Sequence, residues 1–215
     1  MPETIEVNLS APDEATLKRA AEIIHRGGLV VYPTETLYGI GADATNPAAV
    51  GKVQLAKQRR ENKPILVIVH SRELMMQMVD HVPRVAEGLI EKFWPGPLTI
   101  VFQAKVGVSE ELTQATGTIG IRIPSSELCL RLVERAGVPL TSTSANVSGE
   151  QPARSISGIR GSLSGVDLYL DGGELPPSLP STVVDVVHGT PRLLRPGAIP
   201  TEEIQKIIPH ILMPA

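Results

Sequence analysis

The chain has 215 residues, a net charge of −3, 42% hydrophobic residues and 3% aromatic residues. This length corresponds to one large domain or two small ones, and the composition predicts a core built from Val, Ile, Leu and Ala. The negative net charge excludes a global basic field that would hold nucleic acid without regard to sequence. Any RNA binding would therefore be weak and would need a local basic patch.

A single cysteine, Cys129, excludes an intramolecular disulfide framework and favours a reducing compartment. The N-terminal stretch MPETIEVNLSAPDEA is acidic and lacks the apolar run of a signal peptide. No segment approaches the roughly 20 consecutive apolar residues of a membrane span. We therefore expect a cytoplasmic protein with no membrane contact.

The first half of the chain predicts helices interrupted by apolar strands. Leu17, Ala20 and Ile24 share one face at helical spacing, and Asn46-Pro47 is typical of a helix start. The predicted elements are a helix over 12–26, a strand over 29–32, a helix over 47–59, a strand over 65–69, and helices over 72–79 and 84–93.

The second half predicts a higher proportion of strands. They are expected over 98–103, 118–123, 139–142, 167–170, 182–187 and 192–194, with helices over 125–136 (capped by Ser125), 156–163 and 201–208. Some strands follow one another with only a turn between them, which favours a mixed sheet over a doubly wound parallel one. The predicted fold is α/β (α+β), a twisted mixed parallel/antiparallel sheet flanked by helices, and no linker divides the chain.

Two segments carry glycines, hydroxyls or cations beside predicted strands. Residues 32–41 (YPTETLYGIG) follow a buried strand and predict either one wall of a ligand crevice or a tight turn. The cations of 57–64 (KQRRENKP) suit a polyphosphate, and they equally suit a solvated helix end. No GxxxxGK[ST] loop is present, which argues against a P-loop ATPase.

Two further segments are polar where a strand predicts apolar residues. Arg122 lies within the apolar run GIRIP, where it faces either a cleft or solvent. Residues 141–149 (TSTSANVSG) carry neutral hydroxyl and amide groups that can bind a nucleotide or an amino acid. A serine nucleophile is disfavoured, because no GxSxG elbow accompanies these residues. The five histidines are scattered singly, so a protein-built zinc site is not expected.

These segments, in this order, resemble the YrdC-like family, the L-threonylcarbamoyladenylate synthases. Their ordered co-occurrence is much more specific than any single motif. The resemblance implies one YrdC-like domain over 12–208, folded around a large concave cavity with a positive lining. The matching stretches are GLVVYPTETLYGIG (28–41), KQR (57–59), KP (63–64), WPGPLT (94–99), GIRIP (120–124), SANVSG (144–149), STVVD (181–185) and RPG (195–197).

The resemblance implies a reaction of L-threonine, bicarbonate and ATP that gives threonylcarbamoyl-AMP and pyrophosphate. Mg²⁺ would be held mainly by the ATP phosphates, and a partner transferase complex would carry the threonylcarbamoyl group to tRNA. By the same resemblance, the ATP ligands are Lys57, Arg59, Thr118, Ser144, Asn146 and Arg195. The threonine and bicarbonate ligands are Thr34, Arg122, Ser142, Thr143 and Ser181, with Arg122 meeting the threonine carboxylate. No general base is implied.

Two features depart from the family pattern. Many relatives place a histidine where this chain has Ile68, and His70 lies two residues further on without an assigned role. Long relatives carry an additional C-terminal domain, so the chain is expected to be the short form. Its cavity would then need another cover, for which residues 172–181 (GGELPPSLPS) are the candidate lid.

Two other functions remain open at this point. One is an RNA-binding module of the same fold, which the net charge and the scarcity of aromatic residues disfavour. The other is a carbamoyl-adenylating paralogue, since a related domain serves that reaction in larger proteins. Retention of the KQR and SAN motifs favours the synthase.

Overall fold

The computed structural model describes residues 2–58 and 64–214. Within these ranges the chain forms eleven strands and eight helices. The strands are β1 (Glu3–Glu6), β2 (Val30–Pro33), β3 (Tyr38–Gly41), β4 (Val67–Ile68), β5 (Leu98–Gln103), β6 (Thr118–Arg122), β7 (Leu140–Thr141), β8 (Thr143–Ser144), β9 (Leu168–Asp171), β10 (Thr182–Asp185) and β11 (Arg192–Arg195). The helices are α1 (Glu14–His25), α2 (Pro47–Ala56), α3 (Arg72–Met75), α4 (Arg84–Phe93), α5 (Glu110–Thr113), α6 (Glu127–Ala136), α7 (Ile156–Ile159) and α8 (Thr201–Ile207).

The strands form two mixed sheets where the sequence predicted one. The first sheet has the order β1-β9-β2-β3-β8 and the second the order β11-β10-β5-β6-β4-β7. Each sheet contains both parallel and antiparallel pairs; for example, β2 pairs parallel with β9 and antiparallel with β3. The predicted class, a mixed α/β fold with helices around the sheets, is confirmed.

The chain passes from one sheet to the other at two places that matter for the site. Ser142 separates β7 of the second sheet from β8 of the first, and residues 172–181 join β9 of the first sheet to β10 of the second. Loops that bridge two sheets must lie along the line where the sheets meet. Polar residues in both loops are therefore brought to one place.

Both faces of the first sheet are buried. Successive residues of β2 point to opposite sides, so Val30 packs in one apolar cluster and Val31 in another. The first cluster also contains Leu17 and Ile24 of α1, which confirms the predicted apolar stripe of that helix.

Several predicted helix ends are corrected. Helices α3 and α7 end at Met75 and Ile159, four residues before the predicted residues 79 and 163. Helix α2 ends at Ala56, before the predicted residue 59, because Gln58 adopts a left-handed φ of 49°. Helix α6 begins one residue later than predicted, since Ser126 caps it by accepting a hydrogen bond from the Cys129 amide at 3.4 Å. The Ser125 amide instead donates to Glu35 Oε1 at 3.3 Å.

The sequence did not predict β1, β3, β8 or α5. Strand β1 lies in the acidic N-terminal stretch, yet it pairs parallel with β9 more than 160 residues away. Strand β3 contains Gly39 and Gly41, and glycine disfavours strands. Gly41 is required by packing, because a Cβ there would lie 2.4 Å from Cε1 of Tyr32. Within the described residues, no helix is long and apolar enough to cross a membrane.

Candidate functional site

A cavity of about 540 Å³ opens where the two sheets meet. Its walls are the turn between β2 and β3, the end of β6, the chain from β7 through the loop after β8, and the 172–181 segment. The sequence-predicted residues that line it are Thr34, Arg122, Ser142, Thr143, Ser144, Asn146, Ser181 and Arg195. The fold thus brings together residues from both ends of the chain.

Arg122 ends β6 and is 6% exposed. Its Nη1 lies 3.4 Å from Oε1 of Glu35 and 3.4 Å from Oγ1 of Thr36. Both contacts are at the long end for charged hydrogen bonds. The guanidinium is therefore oriented toward the cavity wall while it keeps donors for a ligand.

Arg195 supplies a second cation to the cavity lining. Its Nη2 donates to the Ser181 carbonyl oxygen at 2.7 Å and to Ser181 Oγ at 3.0 Å. Ser181 Oγ also lies 2.9 Å from Thr99 Oγ1. Burial lowers the pKa of the Arg195 guanidinium from its ordinary value, and the positive charge of Arg122 lowers it further. The two cations therefore share one field that favours anions.

Lys57 lies outside the cavity lining and supports the loop that forms it. Its Nζ donates to the carbonyl oxygen of Asn146 at 2.8 Å and to that of Ser144. The Lys57 carbonyl in turn accepts from the Ser148 amide at 3.0 Å. The side chain is 4% exposed. Lys57 thus positions this loop by donating hydrogen bonds to the loop's backbone. The prediction that Lys57 is a phosphate ligand did not include this role.

Asn146 has one buried acceptor without a partner. Its Nδ2 donates to the carbonyl oxygens of Val147 at 2.8 Å and Glu150 at 2.7 Å. Its Oδ1 is buried and has no hydrogen-bond partner within the described part of the chain. A buried polar atom without a partner is costly, so this oxygen favours a ligand that carries an N–H or O–H group.

Thr34 lines the cavity, but its hydroxyl is already used. Oγ1 donates to the Leu37 carbonyl oxygen at 2.8 Å and accepts from the amides of Thr36 and Leu37, both at 3.1 Å. A hydroxyl has one proton and two lone pairs. This hydroxyl therefore shapes the turn between β2 and β3, and the assignment of Thr34 to the threonine and bicarbonate site stays a prediction.

One other predicted ligand, Thr118, does not line this cavity. Thr118 lies at the opposite end of β6 from Arg122, where its Oγ1 is 2.9 Å from that of Thr116, so its assignment to ATP remains a prediction. Arg59 lies outside the described residues. Ile68 lines the cavity, whereas His70, two residues on, does not.

Hydrogen bonds hold the 172–181 segment at its first four residues and at its last residue, Ser181. Tyr38 Oη donates to the Gly173 carbonyl oxygen at 2.7 Å and accepts from the Gly172 amide at 3.0 Å. The Leu175 amide donates to the Arg154 carbonyl oxygen at 2.8 Å, and Arg154 pairs with Glu174. Arg195 holds the far end through Ser181.

Comparison with known proteins identifies the family. Residues 22–197 match the Sua5/YciO/YrdC family model, described as telomere recombination. The chain belongs to this family.

Relatives within the Sua5/YciO/YrdC family align along most of the chain. It is 37% identical over 200 residues to threonylcarbamoyl-AMP synthase of Pyrococcus abyssi, covering 93% of this chain and 59% of that protein. It is 38% identical over 190 residues to a Mycobacterium tuberculosis protein that carries the same name provisionally, covering 88% of this chain and 87% of that one. The structure of P. abyssi Sua5 complexed with L-threonine matches with a TM-score of 0.91 at 34% identity, over 99% of this chain and 62% of that chain. The chain therefore spans about three fifths of the Pyrococcus protein.

Sequence reasoning missed four residues of this Sua5/YciO/YrdC site: Glu35, Tyr38, Thr99 and Arg154. Thr99 gave a signal, since it is the first polar residue within the apolar strand LTIVFQ. Tyr38 and Glu35 belong to the segment 32–41, whose pattern assigns no separate role to either residue. Arg154 had no local signal, because its role depends on a contact with residues 20 positions away.

The chemistry available in this Sua5/YciO/YrdC cavity is anion binding and placement. Its described lining holds three arginines and several hydroxyls, and Glu150 is its one carboxylate. No histidine or cysteine belongs to that lining. Such a set stabilises negative charge on a carboxylate and on phosphates better than it activates a nucleophile.

Proposed function

We propose that this chain is an L-threonylcarbamoyladenylate synthase, which makes threonylcarbamoyl-AMP and pyrophosphate from L-threonine, bicarbonate and ATP. The observation that carries the proposal is the pair Arg122 and Arg195, two cations that line one cavity together with neutral hydroxyl and amide side chains. Two separate cations suit two different anions, the carboxylate of an amino acid and the phosphates of a nucleotide. The threonine complex of the Pyrococcus relative supports this assignment.

We assign the threonine carboxylate to Arg122 and the phosphates to Arg195. Ser142, Thr143 and Ser181 would complete the threonine and bicarbonate site. Asn146 Oδ1, which lacks a donor, suits the exocyclic amino group of adenine, and Ser144 lies two residues earlier, at the end of β8. Arg59 and Thr118 remain predicted ATP ligands.

The proposed reaction needs placement more than acid–base chemistry. The threonine amine condenses with bicarbonate, losing water, to give a carbamate. A carbamate oxygen then attacks the α-phosphorus of ATP, and the bond to the β-phosphate oxygen breaks to release pyrophosphate. The two arginines would hold carbamate and phosphate in line and offset their repulsion. No residue is assigned as a general base.

Mg²⁺ is proposed to arrive with ATP, where it would neutralise the phosphate charge. The protein offers little to hold it, because Glu150 is the single carboxylate of the described lining. Within the described residues, no group of three or more His, Cys, Asp or Glu side chains is placed to hold a metal.

We further propose that the 172–181 segment closes over bound substrates. Its middle residues, Pro177 to Pro180, line the cavity, and Leu179 is 63% exposed. Closure would bring apolar surface over the nucleotide and exclude water from the reactive adenylate. The product is a mixed anhydride and therefore a strong acyl donor, which suits transfer to a tRNA adenosine by a cytoplasmic partner enzyme.

The test is pyrophosphate release by the purified protein with ATP, Mg²⁺ and bicarbonate, with and without L-threonine, followed by mass analysis of the adenylate. Release that requires both threonine and bicarbonate, with the mass of threonylcarbamoyl-AMP, is expected. Substitution of carbamoyl phosphate for threonine and bicarbonate distinguishes the carbamoyl-adenylating alternative. ATP binding without threonine-dependent release would refute the synthase assignment.

A further inference from the structure

Glu35 is a partly buried carboxylate next to the cavity, and the roles above leave it unexplained. It occupies the turn between β2 and β3, which the hydroxyl of Thr34 holds rigid through bonds to Thr36 and Leu37. Its side chain is 16% exposed. Oε1 accepts from the Ser125 amide at 3.3 Å and faces Arg122 Nη1 at 3.4 Å. Oε2 is buried and has no hydrogen-bond partner in residues 2–58 and 64–214.

A carboxylate kept in this environment is costly unless its charge has a use. Arg122 and Arg195 place two positive charges around one cavity; burial lowers the pKa of Arg195, and the charge of Arg122 lowers it further. Glu35 is the acidic partner recorded for Arg122. It approaches Arg122 from the turn, outside the cavity lining, and so does not occupy the place of a bound anion.

We propose that Glu35 is a positioning residue of the threonine site: it holds the Arg122 guanidinium so that the remaining N–H groups receive the substrate carboxylate. Thr36 assists from the same turn, with its Oγ1 3.4 Å from Nη1. The inference rests on the proposed synthase function, because it takes the Arg122 ligand to be an amino-acid carboxylate. Glu35 and Thr36 lie in one turn, and the hydrogen bonds of the Thr34 hydroxyl fix the shape of that turn. The turn therefore places both side chains against Arg122 together.

A rival interpretation makes the opposite prediction. If Glu35 were only a counter-charge that occupies Arg122 until a ligand displaces it, then its neutralisation would strengthen anion binding. If it positions Arg122, the same change leaves the cation unoriented and weakens threonine binding. The sign of the change in affinity therefore separates the two.

The experiment is calorimetric titration of L-threonine into the wild-type protein and into Glu35→Gln and Glu35→Ala variants, with ATP titrated separately. Glu35→Gln retains the side-chain shape and an acceptor for the Ser125 amide, and it removes the charge. We expect threonine affinity to fall about tenfold in Glu35→Gln and further in Glu35→Ala, with little change in ATP affinity. Glu87→Gln, which breaks an exposed ion pair with Arg72, is the matched control and should leave both affinities unchanged.

Unchanged or tighter threonine binding by a folded Glu35→Gln protein would overturn the inference. A thermal unfolding curve for each variant establishes that it is folded, and a purely structural role would lower the melting temperature without the selective loss of threonine affinity. The proposed function is tested separately by the wild-type protein. If the wild type binds threonine but makes no adenylate, the synthase assignment fails while the binding comparison still decides the role of Glu35.

Discussion

The ammonium group of Lys57 donates a hydrogen bond to the carbonyl oxygen of Asn146, 89 residues further along the chain, at 2.8 Å. This contact joins the end of helix α2 to the loop that forms one cavity wall. A cation that the motif KQR presents as a phosphate ligand thus has a backbone partner within the protein. Its removal should disturb the cavity wall as well as any ligand contact.

Lys57→Met should lower both stability and ATP affinity. The substitution keeps most of the side-chain volume and leaves two buried carbonyl oxygens without their donor, which should cost about 1–3 kcal/mol in the free energy of unfolding. ATP affinity should fall because the Asn146 loop loses its support. Urea unfolding and ATP titration measure the two effects. Lys52→Met is the control on the same helix: it removes one bond, to the Gly27 carbonyl oxygen, outside the cavity. A Lys57→Met protein of unchanged stability would contradict this role.

Arg122→Ala and Arg195→Ala should separate the two substrates. We expect Arg122→Ala to raise the KM for L-threonine by roughly tenfold or more with a smaller effect on ATP, and Arg195→Ala to do the reverse. The reason is that each cation has its own partner, Glu35 for Arg122 and Ser181 for Arg195, and is assigned to a different anion. Steady-state pyrophosphate release with each substrate varied measures both constants. Equal increases for both substrates in both variants would show that the assignment by anion is wrong.

Tyr38→Phe should loosen one end of the 172–181 segment. The hydroxyl joins the Gly173 carbonyl oxygen and the Gly172 amide, and its loss should cost about 1 kcal/mol of stability. Limited proteolysis should then cut within the segment faster than in the wild type, and ATP with threonine should slow the cleavage in both. Tyr169→Phe is a suitable control, because the Tyr169 hydroxyl makes no hydrogen bond within the described residues. Equal cleavage rates in the two variants would argue against an anchor at Tyr38.

Cys129 should make the protein less stable at alkaline pH. Burial raises the pKa of its thiol to about 12, whereas an exposed thiol ionises near about 8.5. The native state therefore keeps a proton that the unfolded state releases, so this contribution to stability is complete below about pH 8.5 and is lost as pH rises toward 12. The free energy of unfolding should fall more steeply with pH in the wild type than in Cys129→Ala, by up to about 1.4 kcal/mol per pH unit. Urea unfolding between pH 8 and pH 10 measures the two slopes.

The same burial predicts slow thiol modification. Cys129 is fully buried, and its Sγ contacts the Pro33 carbonyl oxygen at 3.4 Å. A thiol reagent should react at the rate of unfolding and reach full reaction only in denaturant. Rapid reaction under native conditions would contradict the burial on which the pH prediction depends.

Much of the fold could be predicted because its signals are local. Helix α4 and strand β5 begin and end where the pattern predicts, since their apolar spacing and the Trp94-Pro95-Gly96-Pro97 break between them are contained in neighbouring residues. Strand β3 escaped prediction because its glycines are set by contact with Tyr32, which no local rule contains. The division into two sheets was missed for the same reason, since it depends on which distant strands pair.

The sequence by itself determined the mixed α/β class, the family resemblance and eight of the residues that line the cavity, because ordered motifs and hydrophobic periods are properties of adjacent positions. The tertiary structure decided what those residues do. The Thr34 hydroxyl forms its hydrogen bonds within a turn, and Lys57 supports a distant loop. Glu35 faces Arg122, which lies 87 residues further along the chain. A polar side chain can bind a ligand only with the donors and acceptors that the fold leaves unused, and long-range strand pairing alone determines which ones those are.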